Sequence, residues 1–225
     1  MALTGYRCNL HDCLYLKLAT HHIPSAKIDK MINEIKGLCD NDTTTSKNID
    51  ELLNYYHKEN EPTLQKIKEN SFLHKHTDEI KQAFSIEKSL EDMINILRVM
   101  DTEFSKKTLE TILKMSPTSC KVTLQGMKYS IQKDMDIGQV LQMEYKMSQR
   151  SMKHPISDFY KGIRAALVDK DHKYNWEPKK IEDVSDDLVD EYFEALKNGY
   201  ELELIDAFGN AATSGNDSSS TTSKL

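Results

Sequence analysis

The chain has 225 residues, enough for one or two domains and for a buried core. Its hydrophobic fraction is 38% and its charged fraction 29%, which is polar for a self-contained globule. That balance fits amphipathic helices with wide solvated faces, or a chain whose core is partly supplied by another segment. The formal net charge of −6 argues against nonspecific nucleic-acid binding, which needs a Lys/Arg surplus to neutralise phosphates. No apolar run reaches the ~18 residues of a membrane span, so no membrane partner is expected.

The period is helical almost throughout, and alternating apolar/polar runs are nearly absent. Met1-Ala2-Leu3-Thr4-Gly5 carries no targeting pattern. A first clear helix begins near Ser25, with Ile28, Met31, Ile32, Ile35 and Leu38 forming one apolar stripe. Residues 41–48 read as a Thr/Asp-rich loop, and Ile49, Leu52, Leu53 and Tyr56 mark a second helix. Between Glu59 and Asn70 the pattern is poor and Pro62 breaks it. Phe72, His76, Ile80 and Phe84 predict a third helix.

Ser89-x-x-Asp92 is a capping-box variant ahead of Met93, Ile94 and Leu97. Asp101 or Thr102 can cap the next helix, which carries Phe104, Leu109, Ile112 and Leu113. Ser116-Pro117 is a sharper start signal: a Ser N-cap followed by Pro at the first helical position. Val122, Leu124 and Met127 lie on the helix that follows. Asp136 caps another, carrying Ile137, Val140, Leu141, Tyr145 and Met147, which His154-Pro155 ends. A shorter helix is predicted from about Ser157 to Val168, and a last one from Ser185, with Asp186 and Asp187 against its N-terminal dipole. From Asn210 onward the chain is Ser/Thr/Gly/Asn-rich and is expected to be disordered. It ends Ser223-Lys224-Leu225, the tripeptide read by peroxisomal import receptors, so a peroxisomal address is expected, with the mitochondrion as the alternative.

Local chemistry is sparse. Cys8, His11, Cys13, His21 and His22 cluster near the start, but their spacing is no known zinc pattern, so packing or surface roles are expected and no metal. Together with Cys39 and Cys120 the cysteines read as reduced thiols. His74 and His76 are two apart, which a helix sends to different faces. No glycine-rich phosphate loop and no Gly-x-Ser-x-Gly elbow is present. Asp183, Asp186, Asp187, Asp190 and Glu191 read as a solvated face. Asp169-Lys170-Asp171-His172-Lys173 is a charge run just past a helix. It reads as a polar turn or as a lysine that meets a phosphate as a point charge.

Several blocks carry a family resemblance. Ala2-Leu3-Thr4-Gly5-Tyr6-Arg7, Asp12 and Ala19-Thr20-His21 form the first. Met115-Ser116-Pro117-Thr118-Ser119-Cys120-Lys121-Val122-Thr123-Leu124 forms the second, and Met143-Glu144-Tyr145-Lys146-Met147-Ser148-Gln149 the third. Asp158-Phe159-Tyr160-Lys161-Gly162-Ile163-Arg164-Ala165, Leu167, Asp169-Lys170-Asp171, Trp176 and Pro178 complete the set. In this order they resemble the C-terminal portion of the 3-hydroxyisobutyryl-CoA hydrolases, members of the crotonase superfamily. Lys36 to Glu110 match only loosely.

The resemblance implies a mainly α chain: the C-terminal helical part of a crotonase-type α/β spiral, with the strand-bearing core absent. Residues 1–24 would end that core, 25–101 would link, 102–205 would cover the CoA site, and 206–225 would form the tail. An exposed apolar surface is expected where the core would pack. The implied activity is hydrolysis of an acyl-CoA thioester in valine breakdown, with the acyl-CoA as substrate and no further cofactor. The family's oxyanion hole and carboxylates lie in segments before the first matching block, so no catalytic residue is assigned and the chain alone is expected to be inactive. The missing N-terminal core is then its first partner. Lys170 aligns with a basic position near the CoA nucleotide and is the one ligand contact inferred.

Three departures stand out. The family has Gly where this chain has Leu10 and Lys17, and Pro where it has Tyr174. They leave open a non-catalytic crotonase-like paralogue that acts as a binding or interaction module. An independent helical adaptor that converged on these motifs is a third reading.

Overall fold

The computed structural model describes residues 1–39, 45–58, 62–153, 157–196 and 202–203. Among them there are twelve α-helices and no strand, as the sequence period predicts. The chain divides into two compact units. The first comprises Met1 and Gly5–Gln82, and the second Ala2–Thr4 and the chain from Ala83 onward.

The first unit opens with a helix that periodicity did not reveal, α1 (Leu10–Tyr15). Asn9 and Asp12 build a reciprocal capping box: the Asp12 amide donates to Asn9 Oδ1 at 2.9 Å, and the Asn9 amide donates to Asp12 Oδ2 at 3.1 Å. At its other end the Leu18 amide donates to the Cys13 carbonyl at 2.9 Å and the Lys17 amide to the Leu14 carbonyl at 3.2 Å. This is a Schellman motif, and Lys17 occupies its left-handed position at φ 56°.

The hairpin of α2 (Ser25–Cys39) and α3 (Ser46–Lys58) buries Tyr56, whose hydroxyl donates to Glu34 at 3.0 Å. The predicted apolar stripe of α2 is only partly covered, with Ile28 and Ile32 about two-fifths exposed. Residues 40–44, which include the first half of the predicted loop, lie outside the described residues, and the last three loop positions, 46–48, belong to α3 instead.

Thr63 caps a second unforeseen helix, α4 (Leu64–Asn70). Its apolar residues Leu64 and Ile67 are too few to give a visible period. The single helix predicted across Phe72–Phe84 is two: α5 (Phe72–Lys75) and α6 (Thr77–Ala83). The break is at His76, and the Thr77 hydroxyl donates to the carbonyls of Leu73 and His74, the alternative to helical bonding that Thr offers.

In the second unit, α7 (Leu90–Met100) starts at the Ser89/Asp92 capping box and buries Leu90, Met93, Ile94 and Leu97, the spacing of one helix face. Thr102, rather than Asp101, caps α8 (Glu103–Lys114), and Asp101 closes α7 at φ 51°. Phe104 and Ile112 of α8 are buried, whereas Leu113 is exposed.

Ser116 caps α9 (Pro117–Gln132) with proline at its first turn, as expected, and α9 buries Cys120, Val122 and Leu124. Asp136 and Gln139 exchange caps at the start of α10 (Ile137–Lys153). His154-Pro155 lie outside the described residues. The helix predicted over 157–168 begins as α11 (Asp158–Ile163) and widens into a π-helical turn, Arg164–Val168.

A 3₁₀ turn, Ile181–Asp183, precedes Ser185, which caps α12 (Asp186–Asp190), far shorter than its acidic start suggests. Val122, Val184 and Val189 form a core with Met147, Leu188, Tyr192 and Phe193 packed on it. Residues 206–225, including Ser223-Lys224-Leu225, lie outside the described residues.

Candidate functional site

The charge run 169–173 lies where the backbone leaves regular α-helix. The π-helical turn Arg164–Val168 ends at Asp169, whose amide donates to the Arg164 carbonyl at 2.8 Å. Arg164 Nε donates to the Asp169 carboxylate at 2.9 Å, which closes the turn from the side-chain side. Lys170 and His172 then both adopt the left-handed region at φ 54°, a cost that non-glycine residues bear only under constraint. Lys170, Asp171, His172 and Lys173 are all exposed. The Asp171 carboxylate accepts the Lys173 amide at 2.9 Å, which makes this stretch an Asx-type turn with its lysines at the surface.

Beyond the turn the segment is pinned. Trp176 Nε1 donates to the Lys114 carbonyl at the end of α8 at 2.8 Å. The Glu177 amide donates to Asp158 Oδ1 at 3.0 Å, and the Ser116 hydroxyl donates to Asp158 Oδ2 at 2.5 Å. Lys161 stands 3.6 Å from the same carboxylate. Asp158 therefore ties the start of α11 to the start of α9 and to residue 177. The Trp176 ring packs over Gly162, where an added Cβ would stand 3.2 Å from Cζ-side ring carbon Cη2. The sequence held a signal for this lock, since Ser116, Asp158, Gly162 and Trp176 all fall in matching blocks, but nothing in the spacing says that they meet.

Ala19-Thr20-His21 falls in the first unit. Thr20 is exposed and its hydroxyl shares a hydrogen bond with His21 Nδ1 at 2.9 Å. His21 lies edge-on to His57 at 5.5 Å, and His57 Nδ1 accepts the His22 amide at 3.0 Å. Among the described residues no group of three His, Cys, Asp or Glu side chains converges as metal ligands would. The Cys8 thiol is raised by burial and by the nearby Asp12 charge.

Described residues of the second unit line at least two hollows. One, of about 500 Å³, runs between α9 and α10 and is lined by Ala2, Val122, Gly126, Met143, Met147 and Tyr192 among others. A second, of about 460 Å³, joins Arg98, Lys179 and Lys180 to the apolar Ile112, Met115 and Ile181. The second hollow also carries Glu182 and Asp183 on its lining. Asp12 is fully buried and the Asp158 side chain is 8% exposed, and the oxygens of both are occupied by structural donors.

The family model for enoyl-CoA hydratase/isomerase matches residues 1–193. The chain belongs to this family. It is similar to the mitochondrial 3-hydroxyisobutyryl-CoA hydrolase of Gallus gallus, 36% identical over 198 residues, which is 88% of this chain and 49% of that protein. The enzyme of the same name from Xenopus tropicalis is 35% identical over the same shares, and that of Homo sapiens 32% over 87% and 48%. The chain thus spans about half the length of the curated relatives it matches.

Among solved structures, a carnitinyl-CoA dehydratase from Mycobacterium thermoresistibile superposes with a TM-score of 0.68 at 25% identity, covering 87% of this chain and 50% of that one. An enoyl-CoA hydratase from Rhodobacter sphaeroides gives 0.65 at 23%, over 86% and 50%. This enoyl-CoA hydratase/isomerase-family chain is therefore mainly helical with crotonase-type neighbours.

Proposed function

We propose that the chain is the C-terminal helical part of a CoA-thioester hydrolase acting on 3-hydroxyisobutyryl-CoA, and that the chain alone does not catalyse the reaction. The observation that carries this reading is the similarity over 88% of the chain to proteins of that name. In the reaction, water adds to the thioester carbonyl, the C–S bond breaks, and the acid and the CoA thiol leave. The developing oxyanion needs preorganised donors and the water needs a base. The enclosed carboxylates Asp12 and Asp158 are committed to structural hydrogen bonds, which supports placing the chemistry in a strand-bearing core outside this chain.

The role left to this chain is substrate binding. Lys170, exposed and held in a constrained turn, meets the CoA phosphates as a point charge. On this reading, residues 102–205 cover the CoA site, 1–24 lead out of the core and 25–101 link the two. The relatives' names specify mitochondria, which favours a mitochondrial location over the peroxisomal one.

The test is thiol release from 3-hydroxyisobutyryl-CoA. The 225-residue chain should release none above background, whereas the same chain supplied with the N-terminal half of a relative should. Enzyme-like turnover by the chain alone would overturn the reading. In the active assembly, Lys170→Ala should raise KM several-fold and leave kcat nearly unchanged, the pattern of lost uniform binding. A non-catalytic binding paralogue is the rival. It predicts ligand binding without turnover even when the core is supplied.

A further inference from the structure

Residues 172, 174 and 176 form an aromatic ladder beside the lysine turn. The Tyr174 and Trp176 rings stack with centroids 4.8 Å apart and an interplanar angle of 4°. Trp176 is itself fixed, by its hydrogen bond to the Lys114 carbonyl and by contact over Gly162. The Tyr174 hydroxyl shares a hydrogen bond with His172 Nδ1 at 3.1 Å, which sets the rotation of the ring in its plane. The His172 ring meets Tyr174 at 6.3 Å and 62°, an edge contact. Tyr174 thus has one face covered by indole and, among the described residues, no ring stacked on the other. It remains 36% exposed.

Lys170 and Lys173 are exposed and lie four positions and one position before Tyr174 in the chain, and neither is in an ion pair among the described residues. Of the nearby acids, Asp169 is paired with Arg164, and one oxygen of Asp171 accepts the Lys173 amide. A fixed, half-covered aromatic ring in the same exposed segment as two lysines has the composition of a nucleotide-binding surface: a π-face for the base and cations for phosphate.

We propose that Tyr174 stacks on the adenine of a CoA-type ligand whose phosphates meet Lys170 and Lys173. This rests on the CoA-thioester reading and extends it to a residue at which the chain departs from the proline of the family it resembles. A proline there offers no π-face, so the base contact is a property of this chain. Stacking one base on an aromatic side chain contributes roughly ten-fold or more in affinity.

Trp176 is the chain's one tryptophan, so its emission reports on the stack directly. The experiment titrates the 225-residue chain with adenosine 3′,5′-bisphosphate, and separately with pyrophosphate and with pantetheine. A saturable emission change with the bisphosphate, and none with pantetheine, is expected. Tyr174→Leu, which keeps an apolar cover on the indole but removes the π-face, should weaken binding about ten-fold. Tyr174→Phe should hold within about two-fold by the same reasoning. Helical circular dichroism confirms that each variant is folded.

Equal affinity for wild type and Tyr174→Leu, or no saturable change in wild type, overturns the proposal. Thiol release by the assembled protein together with unchanged Tyr174→Leu affinity sinks the stack and leaves the hydrolase reading standing. Absent thiol release together with Tyr174-dependent nucleotide binding does the reverse.

Discussion

The Ser71 hydroxyl donates to Asp12 Oδ1 at 2.8 Å across 59 residues of chain, and both residues are fully buried. The same carboxylate accepts the Tyr6 hydroxyl at 2.6 Å and the amides of Asn9 and Leu73 at 3.1 and 3.0 Å. One side chain thus joins the entry to α1, the α4–α5 junction and the Tyr6–Phe72 ring stack within the first unit. Burial acts to raise its pKa, but the four donors outweigh burial and hold it below the usual carboxylate value.

Replacing Asp12 by Asn should destabilise the first unit by about 3 kcal/mol at pH 7, since a buried charge-assisted network loses its acceptor. The pH dependence has a definite sign. A depressed native pKa contributes stability that is complete above the unfolded value of about 3.9 and is lost as pH falls through the native value. Urea titrations should therefore show the gap between wild type and Asp12→Asn constant from pH 7 to 5 and narrowing below about pH 4. A gap that widens in acid would contradict the assignment. The Tyr6 hydroxyl, pushed up to about 12 by burial and by the Asp12 carboxylate, stays protonated as donor throughout this range.

The cysteines should separate by reactivity. Burial pushes the Cys120 thiol up to about 11, while Cys39 is exposed at the end of α2. Thiolate is the reactive species, so iodoacetamide at pH 8 should label Cys39 early and leave Cys120 unmodified until the second unit unfolds. Peptide mass mapping over time reads the order. Comparable rates at the two sites would show that α9 does not hold Cys120 in its core.

Much of this fold is legible in the sequence because caps and helix faces are local. Ser89, Thr102, Ser116, Asp136 and Ser185 all cap the helices they announce. Short helices escaped: α1 and α4 carry six and seven residues, too few for a period, and are held by Asn9, Asp12 and Thr63 rather than by a stripe. The candidate site was legible only as composition. Lys170 could be named from its motif, but the stacking of Tyr174 on Trp176 and the lock of Asp158 on Ser116 depend on tertiary placement of residues up to 62 positions apart in the Trp176–Lys114 bond.

Two helical glycines should respond differently to alanine. An added Cβ at Gly126 would meet first the Met147 thioether and the Met143 methyl, the nearest at 3.3 Å. These are the mobile ends of flexible side chains, so the helix-propensity gain dominates and Gly126→Ala should stabilise by up to about 1 kcal/mol. At Gly162 the Cβ meets the Trp176 ring at 3.2 Å, and that ring is tied by its hydrogen bond to Lys114. Gly162→Ala should therefore gain nothing in stability and should shift the Trp176 emission maximum. A shared response in both thermal melting and emission would refute the distinction.

The two positions where the resembling family has glycine make the sharpest contrast. Leu10 opens α1 with ordinary helical backbone, so it needs no glycine, and Leu10→Gly should cost about 1 kcal/mol or more, through chain entropy and the loss of a half-buried side chain. Lys17 occupies the left-handed position of the Schellman motif at φ 56°, where a Cβ crowds the following carbonyl. Lys17→Gly removes that strain at the cost of a freer unfolded chain, and the balance should favour the folded state by about 0.5–1 kcal/mol. Lys17→Val should move the other way by at least as much, because a β-branched residue tolerates positive φ least. Paired urea melts of Leu10→Gly and Lys17→Gly should thus show opposite signs. The same sign for both would mean that the α1 turn closes in a different conformation from the one that Lys17 adopts here.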